Sequence, residues 1–246
     1  MSLDGALLIA AIFLLGGFVK GVTGLGLAAI ALALLTVSFG LKPALALMLV
    51  PAFVTNVWQA AVGGAFWRLL RRFWSLLAMV ALCTWFGVGV LARSDSAWLP
   101  ALLGLSLAAY AGVGLSGYRP PDLRRAEAWL SPLVGAASGL LTGLTGSFLM
   151  PGVIYLPTLG LAREALIQAL GILFTVSTVA LAVALQDSRL ISAEHGFASA
   201  LAVLPALAGM ALGVRVRRRL SEARFRKVFF LSLLALGLYI VWRAFG

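Results

Sequence analysis

Long runs of apolar residues, separated by short polar breaks, constrain this chain more than any other feature. A membrane-spanning helix needs about 20 apolar residues. Runs close to that length or longer occupy 3–39, 43–66, 73–92, 97–117, 129–160, 165–186, 196–214 and 227–245. Of the 246 residues, 62% are hydrophobic and 11% are charged, whereas a soluble domain has about 45–50% and about 25%. A soluble chain must cover its surface with polar groups, so the sequence predicts an all-α polytopic membrane protein.

The charged residues lie almost entirely in the breaks. All eight carboxylates and the one histidine fall in or beside a break, and Lys20 is the charged residue inside a long apolar run. The net charge of +11 comes from arginine clusters next to apolar runs. This pattern indicates membrane orientation and contact with lipid head groups rather than nucleic-acid binding. We therefore expect the lipid bilayer as a partner and no nucleic acid.

Catalytic and metal chemistry have little support in the sequence. The one cysteine, Cys83, excludes an internal disulfide and a multi-cysteine metal site. There is no HExxH motif, and the only histidine, His195, lies in a polar break rather than beside a nucleophile. The sequence predicts no enzyme, no catalytic residue, no cofactor and no metal site. The N-terminus lacks the basic segment of a removable signal peptide, so we expect the first apolar run in the mature protein.

Two runs, 3–39 and 129–160, are too long for one simple crossing. Each contains a glycine-threonine cluster near its middle, GFVKGVTG at 17–24 and GLLTGLTG at 139–146. The two clusters share four identical residues at one constant offset. A helix is expected to break or unwind at both places.

The matched clusters indicate that the chain arose by duplication. Further matches follow the clusters at an offset one residue shorter, such as Phe53 with Phe174. We therefore predict an N-terminal repeat at 1–120 and a C-terminal repeat at 121–246, each with four hydrophobic segments.

The basic breaks bear on how these repeats lie in the membrane. Positively charged loops favour the cytoplasmic side. With eight plain crossings the basic breaks at 68–72 and 119–125 share one side and that at 215–227 lies opposite, whereas all three share one side if the run 129–160 re-enters the membrane without crossing it. The repeat then predicts the same for the run 3–39. Three crossings then remain in each repeat, so the repeats are inverted, with broken or re-entrant helices at the Gly-x-Thr-Gly motifs and both termini outside. Eight plain crossings are the alternative.

The Gly-x-Thr-Gly motifs indicate a binding site for a small anion. Glycines let the backbone leave helical geometry, and Thr23 and Thr145 can cap a following half-helix. The exposed N–H groups of such a half-helix attract an anion. Close helix packing through small residues is the alternative. Lys20 would supply a counter-charge inside the membrane, or would extend from a helix break to water.

Polar side chains on two later runs extend this predicted site. Gln168, Thr175 and Thr178 share one helix face, and Asn56 belongs to a similar polar patch on the second run. Interhelical hydrogen bonding is the alternative for them, and Phe148 is either a gate of the site or a packing residue. The predicted substrate contacts are Lys20, Gly21, Thr23, Gly24, Asn56, Gly143, Thr145, Gly146, Ser147, Phe148, Gln168, Thr175 and Thr178.

At these motifs the sequence resembles the sulfite exporter TauE/SafE family of membrane transport proteins. The resemblance extends over essentially the whole chain and rests on the segments 17–26, 142–148 with Pro151, 166–171 and 174–178. Many members have a glycine run and a later proline in the first motif, where this chain reads GLAAI at 26–30. The resemblance implies a transporter of the bacterial inner membrane for sulfur-containing anions such as sulfite, sulfoacetate or other organosulfonates.

We therefore expect a secondary transporter of the export type, in which a small anion binds at the two motifs and the repeats rock to alternate access. A passive anion channel is one alternative. A non-transporting scaffold that binds a partner through its basic loops is another. A homodimer is a further candidate assembly, because faces rich in glycine and alanine can pack against a second copy.

Overall fold

The computed structural model describes residues 3–94, 97–118, 121–217 and 221–245. Within these ranges the chain is helical and contains no strand. Four charged residues of the breaks between the apolar runs lie outside these ranges: Asp95, Arg119, Arg218 and Arg219. The helices are α1 (Leu3–Thr23), α2 (Leu27–Phe39), α3 (Leu41–Ala61), α4 (Phe66–Arg72), α5 (Trp74–Arg93), α6 (Trp98–Ser116), α7 (Glu127–Thr145), α8 (Gly152–Tyr155), α9 (Arg163–Asp187), α10 (Ala193–Leu201), α11 (Val203–Arg217) and α12 (Glu222–Phe245).

Eight helical segments of the described chain are long and apolar enough to cross a membrane. The predicted all-α polytopic class is therefore confirmed. The duplication, the inverted arrangement and the re-entrant helices stay predictions.

The helices form two compact units, and each unit takes helices from both predicted sequence repeats. The first unit contains α1, α2, the part of α3 up to Ala52, α6, α10, α11 and α12. The second contains the rest of α3, α4, α5, α7, α8 and α9.

Glycines allow very close helix contacts inside each unit. In the first unit, a Cβ atom added to Gly17 of α1 would lie 2.1 Å from the carbonyl oxygen of Ala206 in α11. In the second, a Cβ atom on Gly143 of α7 would lie 2.3 Å from the carbonyl oxygen of Thr84 in α5. Real Cβ atoms do not approach so closely, so these glycines are required where they are. Close packing, given above as the alternative role of the motif glycines, is thus confirmed at these positions.

A proline inside α3 is accommodated by a serine from another helix of the first unit. Pro51 has no N–H and cannot donate to the carbonyl of Leu47, four residues earlier. The hydroxyl of the fully buried Ser199 donates to that carbonyl oxygen at 2.8 Å and accepts from the N–H of Val50 at 3.1 Å. The helix therefore continues through the proline.

One arginine of the basic break at 68–72 has a structural partner. Arg72 donates two hydrogen bonds to the carboxylate of Glu127, at 2.7 and 2.6 Å, and so ties α4 to the start of α7 in the second unit. This hydrogen-bonded carboxylate raises the pKa of the Arg72 guanidinium above its ordinary value. The basic break thus has a role in packing besides any role in orientation.

Candidate functional site

In the second unit the chain leaves helix α7 through a left-handed glycine. Gly146 has a φ of 74°, and its N–H donates to the carbonyl of Thr142 at 2.7 Å. A residue with a Cβ atom is strained in this conformation. The hydroxyl of Thr145 donates to the carbonyl of Leu141 at 2.6 Å and accepts from the N–H of Ser147 at 3.2 Å. Together these bonds end the helix and fix the direction of the next residues.

The break in the first unit has the same local geometry. Gly24 has a φ of 80°, and its N–H donates to the carbonyl of Lys20 at 2.7 Å. The hydroxyl of Thr23 lies 2.9 Å from the carbonyl oxygen of Val19 and accepts from the N–H of Leu25 at 3.1 Å. Each Gly-x-Thr-Gly motif therefore ends a helix with a left-handed glycine and a threonine hydroxyl that accepts from the N–H two residues later. The motifs differ in one bond: the Thr23 hydroxyl also lies 2.5 Å from the carbonyl oxygen of Leu25, whereas the corresponding carbonyl of Ser147 accepts from Thr142.

The expectation that these threonines cap the following helix is wrong. The N-cap of α2 is Gly26 and that of α8 is Pro151, and neither has a side-chain cap. Each threonine hydroxyl instead accepts from the N–H two residues later, that of Leu25 for Thr23 and that of Ser147 for Thr145. The left-handed glycine between them ends the helix, so this N–H has no helical acceptor and the threonine hydroxyl is the nearest one.

The chain after α7 carries donors that nothing in its surroundings uses. Ser147 is 4% exposed, and its hydroxyl has no hydrogen-bond partner among the described residues. The backbone N–H groups of Phe148, Leu149 and Met150 likewise donate to no described acceptor. Buried donors without partners are costly, so this segment is suited to a ligand that brings acceptor oxygens.

Neighbouring side chains hold this segment in place. The hydroxyl of Thr142 donates to the carbonyl of Ser147 at 3.2 Å, and the hydroxyl of Ser138 accepts from the N–H of Gly152 at 3.1 Å. Phe148 is buried, and its ring lies 6.2 Å from that of Phe174 on α9. Both ends of the segment are therefore tied to helices of the second unit.

The polar stripe on α9 packs against the second half of α3. Gln168 is fully buried; its amide donates to the carbonyl of Ala60 at 2.8 Å and accepts from the N–H of Ala65 at 2.9 Å. Asn56 donates to the hydroxyl of Thr178 at 3.3 Å. These are the interhelical bonds that the sequence left open as an alternative.

Thr175 differs from its neighbours on the stripe. It is half-buried, and its hydroxyl donates to the carbonyl of Gly171 in its own helix at 2.7 Å. Its oxygen can therefore still accept a further hydrogen bond.

In the first unit the predicted residues lie in the last turn of α1. Lys20 is 7% exposed, and the carbonyl end of a helix favours a positive charge there. A Cβ atom on Gly21 would lie 2.3 Å from the carbonyl oxygen of Met210, so this glycine packs against α11. Thr23 is half-buried and lines a cavity of about 230 Å³.

Sequence reasoning missed several residues at these places. Ser138 and Thr142 support the segment after α7, and neither has a signal beyond being a hydroxyl in an apolar run. Arg217 and Arg226 line the same cavity as Thr23, but in the sequence they are members of a basic cluster that indicates membrane orientation. These two arginines differ from the others of the cluster because they line a cavity that forms where α12 approaches the end of α1, and the sequence does not show this approach.

The structure thus defines a multi-pass α-helical membrane protein with two helix breaks of the same kind. A family model described as Sulfite exporter TauE/SafE matches residues 8–240, which is nearly the whole chain. The chain belongs to this family, and the resemblance noted from the motifs is confirmed. The family is one of transporters rather than enzymes, and membership indicates a membrane exporter of sulfite or a related anion. No curated protein and no solved structure matches the chain.

Proposed function

We propose that the protein exports a small sulfur-containing anion, such as sulfite, sulfoacetate or another organosulfonate, across the bacterial inner membrane by alternating access. Membership of the family supports the transport of such an anion. The choice among these anions, the mechanism and the membrane are our proposal.

The observation that carries the site is the set of unused donors after α7. The N–H groups of Phe148, Leu149 and Met150 can only donate, and the hydroxyl of Ser147 can donate as well. All of these residues except the half-buried Met150 are buried. Successive backbone N–H groups form concave sites for anions. Sulfite and sulfonate groups carry several acceptor oxygens, and a hydrogen bond to a charged group contributes about 1.5–3 kcal/mol.

The other predicted contacts support this segment in different ways. Thr145 and Gly146 set its direction through the bonds described above, and Gly143 brings α7 against α5. Phe148 forms a wall with Phe174. The remaining predicted contacts stay candidates for substrate binding: Lys20, Gly21, Thr23, Gly24, Asn56, Gln168, Thr175 and Thr178.

Ligand-dependent thermal stability of the purified protein tests this site. A ligand that binds only the folded state raises the unfolding temperature with its concentration. The panel contains sulfite, thiosulfate, sulfate, sulfoacetate, taurine and carboxylate counterparts at matched ionic strength. We expect one or more sulfur anions to stabilise the wild type and Ser147→Ala to weaken that affinity about tenfold or more.

Ser106→Ala is the matched control. The Ser106 hydroxyl donates to the carbonyl of Leu102 in its own helix α6 and does not touch the segment after α7, so its loss should leave the anion affinity unchanged. Ser147→Ala removes a hydroxyl without a described partner and should leave stability unchanged or higher. Equal anion affinity in Ser147→Ala and the wild type would exclude this segment as the site.

A further inference from the structure

A cavity in the first unit combines two arginines with aromatic walls. Its volume is about 230 Å³, and it lies where α1 and α11 end and α12 begins. Its lining includes Thr23, Tyr110, Arg217, Phe225, Arg226 and Phe229.

The two arginines are able to meet an anionic ligand. Arg217 and Arg226 are both exposed, and neither has a hydrogen bond or ion pair with a residue that the structure describes. A guanidinium offers several N–H donors in a planar fork that matches phosphate oxygens. The cavity therefore presents two cations to one small volume.

The aromatic wall is held by ring contacts. The rings of Phe229 and Phe230 lie 5.2 Å apart, and Phe230 lies 5.5 Å from Tyr110 in an edge-on contact. Gly26, with a φ of 100°, lets Phe229 come close, because a Cβ atom there would lie 3.0 Å from the ring. The wall is thus a fixed apolar surface next to the arginines.

An apolar groove shares this wall. It has a volume of about 240 Å³ and lies among α1, α2 and α12. Phe225 and Phe229 line both spaces, and Ser232 is the polar residue of the groove. Its other walls include Leu15, Phe18, Ile30, Leu34 and Leu236.

We propose that the cavity and the groove together bind one acidic phospholipid. The phosphodiester lies against Arg217 and Arg226, and an acyl chain lies in the groove. The candidate membrane span Glu194–Arg217, which contains α10 and α11, ends at the cavity, and the span Ala223–Phe245 of α12 begins there. The arginines therefore lie at the level of the lipid phosphates. A free phosphate shares the charge of this ligand but lacks the chain that the groove fits.

Nanodiscs of defined composition test the site. The unfolding temperature is measured in phosphatidylcholine alone, in phosphatidylcholine with increasing phosphatidylglycerol, and in phosphatidylcholine with added inorganic phosphate. We expect phosphatidylglycerol to stabilise the wild type in a concentration-dependent way and inorganic phosphate to have no such effect. A double variant, Arg217→Gln with Arg226→Gln, should weaken the apparent affinity for phosphatidylglycerol about tenfold for each arginine.

The matched control is Arg215→Gln with Arg224→Gln. These arginines are exposed on the same two helices and do not line the cavity, so the net charge changes equally and the affinity should stay as in the wild type. Equal loss in both double variants would show a diffuse charge effect and overturn the proposal. Stabilisation by inorganic phosphate as strong as that by phosphatidylglycerol would also overturn it, since the ligand would then be a free anion.

A second variant keeps the test decisive if the arginine variant does not fold. Ser232→Phe places a ring in the groove from its exposed edge and leaves both arginines in place. We expect it to lose the response to phosphatidylglycerol. A full response in Ser232→Phe would contradict the placing of the acyl chain.

Discussion

At the scale of single residues, polar side chains in the apolar runs differ in whether their hydrogen-bonding groups already have partners within the protein. Both polar ends of Gln168 are bound to the backbone around 60–65, where Gly63 has a φ of 129°. The hydroxyl of Ser147 is bound to nothing described. The sequence places both residues in the candidate site on equal terms, because a polar residue in an apolar run indicates either a ligand or an interhelical bond. Only the neighbouring backbone distinguishes the two.

Replacing Gln168 should therefore act on stability. Gln168→Leu keeps the approximate size but leaves the carbonyl of Ala60 and the N–H of Ala65 without partners in a buried place. We expect a loss of about 1–3 kcal/mol for each group left unpaired, measured by denaturant-induced unfolding in detergent. Gln186→Leu, at an exposed position of the same helix, should have little effect. A stable Gln168→Leu protein that binds its anion more weakly would instead identify Gln168 as a ligand contact.

At the scale of elements, the apolar runs predict where most of the long helices lie, but a run can extend past the end of its helix. The run at 165–186 corresponds to α9 and that at 73–92 to α5, each within about two residues. The run at 43–66 extends past the end of α3 at Ala61, because the turn that follows is apolar and closes over Gln168. The continuation of α3 through Pro51 depends on Ser199, which lies far away in the sequence.

The packing of α5 on α7 makes a prediction with a control on the same helix. A Cβ atom on Gly87 would lie 2.6 Å from the carbonyl oxygen of Leu140, whereas one on Gly89 meets nothing within 4 Å. Gly87→Ala should destabilise the protein by about 1–3 kcal/mol, as overpacked positions do. Gly89→Ala should be neutral or stabilising by up to about 1 kcal/mol through helix propensity.

Thermal or denaturant unfolding of both alanine variants in one detergent provides the measurement. Similar stabilities for the two proteins would contradict the close approach of α5 and α7.

At the scale of the whole molecule, membrane orientation remains a prediction from the charges. If the two long runs re-enter the membrane, the basic breaks at 68–72 and 215–227 lie on one side, whereas eight plain crossings place them on opposite sides. Helix lengths fit either arrangement, because both α1 and α7 with its preceding turn are long enough to cross. The distribution of arginines is therefore the only guide in the sequence, and labelling decides it.

Cysteine labelling separates the two arrangements. In a Cys83→Ala background, the variants Val62→Cys and Ser221→Cys each place one thiol at an exposed position beside a basic break. A maleimide that does not cross membranes is added to intact cells and then to opened ones. We expect both thiols to react only after opening. Reaction of one of them in intact cells would favour eight plain crossings.

The central claim is transport of a small sulfur anion through a site at Ser147, and flux in proteoliposomes tests it most directly. Vesicles are loaded with labelled sulfite, and its release is followed at increasing concentrations, with and without unlabelled sulfite outside. We predict a saturable flux that external sulfite accelerates. Ser147→Ala should lower this flux about tenfold or more, and Ser106→Ala should retain it. Flux no faster than in protein-free vesicles would contradict export of sulfite, and a flux that rises linearly with no acceleration would contradict alternating access.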